Sequence, residues 1–286
     1  MINIEKDKTY LVTGGSGFLG SELIERIIAN RGKVITLSRD EGKLIELKQR
    51  FPTIEILTGD ICDPFDVHQA IKNVSGVFHL AAFKHVGLAE TQIRECIRSN
   101  VIGTLNILEA GSSMGGLDFI IGISTDKAAQ VTGVYGASKY LMERLFDQFE
   151  RNYPETKFRI VRYGNVLYST GSVLCKWKKL LQEGKEVIVT DPSATRYFWT
   201  VDQAVDLIFE CMELSNDSKP YVPEMKSMGI GDMLTAMASK YLPKDAKLRI
   251  KEIGLQPGEN LHEKILENGK FSNEVERFTI AEIKDM

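Results

Sequence analysis

The chain has 286 residues, 36 basic against 39 acidic, for a net charge of −3, with 43% hydrophobic and 26% charged residues. This length buries enough for one large domain, or one with an appendage, and the composition excludes a disordered chain. The charge balance gives no electrostatic case for nucleic acid or an anionic membrane, although a local basic pocket for a phosphate is compatible with it.

Taken in order, Glu5-Lys6-Asp7-Lys8 runs straight into an apolar strand, Thr9–Thr13, so no signal peptide is expected before the fold. Helical periodicity follows over 18–30, then a strand at 33–38, a polar helix over 40–50 and a strand at 54–58. Further strands are expected at 77–82, 119–124 and 158–163, with a long helix over 93–113 and another over 134–151. Strands this apolar, alternating with helices, require a parallel sheet covered on both faces, and right-handed crossovers make it a Rossmann-type, doubly wound α/β fold. After Asn165 short helices (173–183, 202–214, 231–241) alternate with loops rich in Gly, Pro and Ser. Residues 1–166 are therefore read as the dinucleotide-binding domain and 167–286 as a smaller lobe over the carboxyl ends of the strands, with segments interleaved between the two. Cys62, Cys96, Cys175 and Cys211 form no CxxC pair and read as thiols of a reducing compartment. No apolar run approaches a membrane span, so a soluble, cytoplasmic protein is expected. His68, His79, His85 and His262 lack metal-ligand spacing, and no metal is expected.

Three local patterns carry chemistry. Thr13-Gly-Gly-Ser-Gly-Phe-Leu-Gly20 joins the first strand to the first helix. Glycines there let backbone N–H groups approach a pyrophosphate, where an ordinary tight βα turn is the plain alternative. At the tip of the second strand, Ser38-Arg39-Asp40 places an arginine where an NAD enzyme carries a carboxylate. Arg39 would meet a 2′-phosphate, which favours NADP, unless it merely opens a solvated helix. Asp60 suits a hydrogen bond to adenine or simply caps a turn. Tyr135 and Lys139, four apart, share one helical face, so that a protonated lysine should draw the phenol from about 10 toward neutrality. A tyrosine so tuned takes a proton from a hydroxyl while hydride leaves the same carbon. Alone, such a pair is usually structural.

With Ala81-Ala82-Phe83-Lys84-His85-Val86, Ser124-Thr-Asp-Lys-Ala-Ala129, Arg162-Tyr-Gly-Asn-Val166, Gly171-Ser172-Val173, Thr195-Arg196-Tyr-Phe-Trp199 and Pro257-Gly-Glu-Asn-Leu-His262 in one order, the chain resembles the extended short-chain dehydrogenase/reductases over nearly its whole length. It is most similar to their polysaccharide-biosynthesis branch, which contains the UDP-N-acetylglucosamine 4,6-dehydratases. The resemblance implies a tightly held NADP near Gly14, Ser16, Gly17, Phe18, Leu19, Gly20, Ser38, Arg39, Asp40, Lys43, Asp60, Ile61, Ala81, Ala82, Lys84, Tyr135, Lys139, Tyr163 and Asn165. It implies a UDP-sugar near Lys84, His85, Asn165, Ser172, Val173, Lys176, Thr190, Thr195, Arg196 and Glu259, and a dimer or hexamer of like chains.

Thr125-Asp126-Lys127 distinguishes within that superfamily. Epimerases need only Thr125, Tyr135 and Lys139, whereas a dehydratase also needs an acid for the departing hydroxyl and a base for the proton beside the ketone. Asp126 and Lys127 are assigned those roles, which require a neutral, coupled pair; a capping aspartate beside a solvated lysine is the structural alternative. A nucleotide-sugar 4-epimerase and a non-catalytic NADP-binding sensor remain rivals. Two positions depart from relatives. Gln256 stands where an arginine is often found to pair with the diphosphate, and Ser193-Ala194 where a bulkier residue is common.

Overall fold

The computed structural model describes residues 4–286. Its strands are β1 (Thr9–Thr13), β2 (Lys33–Ser38), β3 (Glu55–Thr58), β4 (Gly76–His79), β5 (Phe119–Thr125), β6 (Lys157–Tyr163), β7 (Asn165–Val166), β8 (Val187–Val189), β9 (Thr195–Trp199), β10 (Pro220–Tyr221), β11 (Ser227–Gly229) and β12 (Ile250–Glu252). The helices are α1 (Phe18–Ala29), α2 (Glu41–Arg50), α3 (Pro64–Ile71), α4 (Val86–Ala89), α5 (Ile93–Ile97), α6 (Gly103–Met114), α7 (Val134–Asn152), α8 (Val173–Gln182), α9 (Val201–Leu214), α10 (Ile230–Tyr241) and α11 (Ile280–Asp285).

Seven strands form the central sheet in the order β10-β6-β5-β4-β1-β2-β3. Every pairing in it is parallel, the Rossmann-type arrangement the apolar runs imply. Near-continuous burial along β4, β5 and β6 follows from cover on both faces. On one face Leu23, Ile24 and Ile27 of α1 join Val205, Ile208 and Phe209 of α9; on the other, residues of α3, α6 and α7 pack on Leu11, Val77 and Ile120. A third apolar cluster, with Leu174, Trp177, Met228 and Met233, builds the smaller lobe.

Three details depart from the sequence expectations. The helix over 93–113 is interrupted by a π-helical turn, Arg98–Ile102, between α5 and α6. The extra residue of that turn carries Asn100 into the core at 1% exposure, where its amide is fully used. Helix α3, capped by Asp63 with Pro64 in its first turn, occupies a stretch for which no element was expected. Strand β10 is only two residues long, too short for a period-2 pattern, and it returns from the second half of the chain to pair with β6.

Candidate active site

The glycine turn lies where the strand order reverses, between β1 and β4. Gly14 adopts φ 70°, and a Cβ there would lie 2.9 Å from the Ala81 backbone nitrogen. Both the hand of the turn and the loop after β4 therefore require glycine. Gly17 precedes α1 with no side-chain cap, which leaves the first N–H groups of the helix for an anion. Phe18 and Leu19 are half-buried in its first turn and Gly20 is buried.

Ser16 Oγ meets Ser38 Oγ at 3.0 Å and ties this turn to the tip of β2. Beside it Arg39 stands exposed, 4.0 Å from Asp60. The neighbouring carboxylates are engaged. Asp40 caps α2 by accepting from Lys43 N at 3.1 Å and pairs with the Lys43 ammonium at 3.4 Å, and Asp60 accepts from Cys62 N at 3.0 Å. Ile61 is buried and its carbonyl accepts from Asn106. Arg39 at this edge is exposed and held only by its long contact with Asp60.

At the carboxyl end of β5 the chain passes into a 3-10 turn, Asp126–Ala128, capped by Thr125. The first turn of α7 lies so close that a Cβ at Gly136 would sit 2.4 Å from the Lys127 carbonyl oxygen. Glycine between Tyr135 and Lys139 is what lets the helix settle on the Asp-Lys turn. Thr125 Oγ1 donates to Asp126 Oδ1 at 2.8 Å, and Lys127 Nζ donates to the same oxygen at 3.1 Å. The structure adds a residue that no local spacing marked: Glu263, 1% exposed, places Oε1 3.4 Å from Lys127 Nζ and 3.7 Å from Arg196 Nε. Asp126 Oδ2, Glu263 Oε1 and the Tyr163 hydroxyl are all buried without a hydrogen-bond partner. Native interiors rarely leave buried polar atoms without a hydrogen-bond partner, which marks these three as exceptions in the described residues.

One protonation expectation, that for Tyr135, is corrected. Burial by itself would push the Lys127 ammonium down, but the charges of Asp126 and Glu263 outweigh it and raise its pKa. Two carboxylates facing one amine favour its charged form. Tyr135 is pushed up to about 12 by burial, which exceeds the opposing pull of the Lys127 charge and of a hydrogen bond with Thr125. Lys139 Nζ lies 3.0 Å from Met142 Sδ. Burial pushes Lys139 down to about 8 against the charge of Glu143.

A buried polar frame holds these elements. Asn100 accepts from Phe83 N (2.7 Å) and donates to Phe83 O and Ser138 Oγ (both 2.9 Å), while Ser138 Oγ donates to Tyr135 O (2.7 Å). The loop after β4, carrying Ala81 and Ala82, is thereby clamped to the helix of the tyrosine. His79 bridges Thr13 (2.8 Å) and Thr104 (3.0 Å), and burial holds it neutral, pushed down to about 3. Under α7, Arg162 donates to Glu143 (2.9 Å), to Ile265 O (2.9 Å) and to Glu267 (2.9 Å), fixing the segment that carries Glu263.

The remaining expected residues divide. Lys84 is exposed and donates to Thr170 O at 3.4 Å, next to exposed His85. Asn165 donates to Tyr197 O at 3.3 Å. Ser172 precedes α8 without a capping hydrogen bond from its side chain; the helix starts at exposed Val173 and carries exposed Lys176, while Thr190 is half-buried after β8. The Thr195 hydroxyl is taken by His262 (2.8 Å) and Ser272 (2.6 Å) and is buried. Arg196 donates to Thr195 O and Leu261 O, both at 2.9 Å. Glu259 accepts from Gln256 N at 3.1 Å, closing a turn on itself. Among the described residues no group of three or more His, Cys, Asp or Glu is placed to hold a metal, and no helix is long and apolar enough to cross a membrane.

Comparison with known proteins agrees with this geometry. A family model described as polysaccharide biosynthesis protein matches residues 10–285. The chain is 35% identical to a UDP-N-acetylglucosamine 4,6-dehydratase (inverting) of Campylobacter jejuni, over 90% of this chain and 76% of that protein. It is 32% identical to a UDP-glucose 4-epimerase of Rickettsia rickettsii, over 93% of this chain and 80% of that protein. The X-ray structure of Pen from Bacillus thuringiensis superimposes with a TM-score of 0.87 at 31% identity, covering 92% of this chain and 84% of that one. The dTDP-glucose 4,6-dehydratase DesIV of Streptomyces venezuelae shares the fold, at a TM-score of 0.77 over 88% of this chain and 86% of that one. With its parallel sheet, glycine turn and Tyr-Lys helix, the chain belongs to the polysaccharide biosynthesis protein family of the extended short-chain dehydrogenase/reductases.

Proposed function

We propose that the protein is an NADP-dependent 4,6-dehydratase of UDP-N-acetylglucosamine, acting in the cytoplasm as a homo-oligomer and forming a 4-keto-6-deoxy sugar nucleotide for surface-glycan synthesis. The observation that carries this reading is the buried acid–amine pair Asp126–Lys127, 3.1 Å apart at the end of β5 beside Tyr135. An epimerase has no use for it. A dinucleotide fits the chain: Gly14 keeps open a cradle that a Cβ would close, and exposed Arg39 stands where a 2′-phosphate would lie. The domain division supports the same reading, with cofactor residues in 1–166 and the sugar nucleotide reaching the lobe of 167–286 through Asn165 and the Ser172–Lys176 turn.

Held by the glycine turn and Arg39, NADP would supply reversible hydride transfer at this site. Tyr135 is the group placed to take the proton of the 4-hydroxyl, with Thr125 as its hydrogen-bond partner, a role that requires the bound state to draw its phenol down from the raised value of the unliganded site. Lys127 removes the carbon-5 proton, made acidic by the neighbouring ketone, and Asp126 protonates the departing 6-hydroxyl, which leaves as water. The ionic resting pair and the working pair contain the same single proton, so passing it from Lys127 to Asp126 arms the site without exchange with solvent. After elimination the Lys127 ammonium returns a proton to carbon 5, and the proton that Tyr135 took from the 4-hydroxyl replaces the one Asp126 gave to the departing water, so the cycle closes.

The test is incubation with UDP-N-acetylglucosamine in deuterated water, followed by mass spectrometry and NMR of the product. Loss of one water and deuterium at carbon 5 are expected. Likeness to the Rickettsia enzyme favours 4-epimerisation as the second reading; a product of unchanged mass would establish it and remove the first.

A further inference from the structure

The buried carboxylate of Glu263 has no part in the chemistry above, yet it faces the amine that carries it. Its Oε1 lies 3.4 Å from Lys127 Nζ, on the same ammonium that Asp126 Oδ1 contacts at 3.1 Å. Glu263 belongs to the far C-terminal segment, and that segment is held in place deliberately. Its N–H donates to Ser272 Oγ at 2.9 Å, its Oε2 accepts from Asn260 Nδ2 at 3.2 Å, and Arg162 fixes Ile265 two residues on. Oε1 has no hydrogen-bond donor of its own. A carboxylate buried to this degree and left with one free oxygen is costly unless a charge stands opposite. The opposite charges here are Lys127 and, at 3.7 Å, Arg196.

We infer that Glu263 is a positioning residue for Lys127, an inference that rests on the proposed role of Lys127: its carboxylate aims the amine and sets the pH range in which the Asp126–Lys127 pair holds its single proton. The groups facing Lys127 are Asp126, Glu263, Arg196 and Tyr135, and Asp126 in turn faces Tyr197. Of these, only Asp126 and Glu263 are carboxylates. Removing the negative charge of Glu263 makes every protonated state of the pair less favourable, so both of its proton losses move to lower pH. An opposite charge at this range shifts a pKa by about 1–3 units. Asp126 and Glu263 share one ammonium, and Arg196 balances the second carboxylate. The quartet carries no net charge, which is what allows it to stay buried.

The test compares wild type, Glu263→Gln and Glu263→Asp by the rate at which a neutral acylating reagent modifies Lys127 at mildly alkaline pH. Peptide mass spectrometry reads the rate against exposed Lys219 in the same sample. Because only the free amine reacts, Glu263→Gln is expected to raise the Lys127 rate about tenfold or more, one pKa unit being a factor of ten. Glu263→Asp, which keeps the charge, is expected to stay near wild type. An unchanged rate in Glu263→Gln, or an equal rise in Glu263→Asp, overturns the inference, the latter showing that loosened packing and not charge was responsible. Should Glu263→Gln not fold, a wild-type-like rate in Glu263→Asp beside a raised rate in Asn260→Ala, which leaves the carboxylate unanchored, supports it, and the converse overturns it. This measurement needs no turnover. If wild type dehydrates the sugar, the kcat–pH bell of Glu263→Gln should move to lower pH on both limbs with KM little changed. If wild type releases no water, the proposed reaction falls while the Lys127 rates still decide the role of Glu263.

Discussion

The ammonium of Lys139 ends 3.0 Å from the sulfur of Met142, and no carboxylate lies within ion-pair distance of it among the described residues. The residue is 4% exposed. A buried amine facing a thioether lacks the partners that would stabilise its charge, which is a standing cost in the folded chain.

Lys139→Met should therefore stabilise the unliganded protein at neutral pH by about 1–3 kcal/mol while abolishing oxidation of the sugar. The sign follows from linkage: Lys139 titrates near 8 in the folded chain and near 10.5 unfolded, so the unfolded state binds more protons between those values. Wild-type stability should rise with pH across that window and the variant should lack the rise. Denaturant unfolding at several pH values measures both.

Lys127→Ala should cost about 3–5 kcal/mol, since it leaves the buried carboxylates of Asp126 and Glu263 without their shared cation. Combining it with Glu263→Gln should recover part of that loss, because one of the stranded charges is gone. Equal stability of the single and double variants would show that the two residues do not interact.

Arg39→Ala should leave thermal stability unchanged, as the side chain is 69% exposed and touches only Asp60 at 4.0 Å. Affinity for NADP should fall about tenfold or more while affinity for NAD stays within about threefold, by calorimetric titration of both dinucleotides. Equal losses would mean that Arg39 does not read a 2′-phosphate.

Asn100→Ala should destabilise by about 2–4 kcal/mol, since it deprives the Phe83 N–H and C=O and the Ser138 hydroxyl of their buried partner. Releasing the loop after β4 from α7 should also lower kcat more than it raises KM, because Tyr135 shares that anchor through Ser138. Steady-state kinetics alongside an unfolding curve separates the two effects.

Much of this molecule is written locally. Apolar strand runs, the glycine turn, the four-residue spacing of Tyr135 and Lys139, and the adjacency of Asp126 and Lys127 are all properties of short segments. Spacing along one helix or one turn fixes what lies near what. The signal for α3, an aspartate cap before Pro64, was present but sat between stronger patterns. Tertiary structure alone decided the rest. It brought Glu263 from the far end of the chain to Lys127, turned Asn100 inward through a π-helical turn, and sent Lys139 to a sulfur instead of to Tyr135. It also decided protonation. Whether a buried amine stays charged depends on the balance between desolvation and every carboxylate within a few ångströms, and those neighbours are chosen by the folded chain, not by the order of its residues.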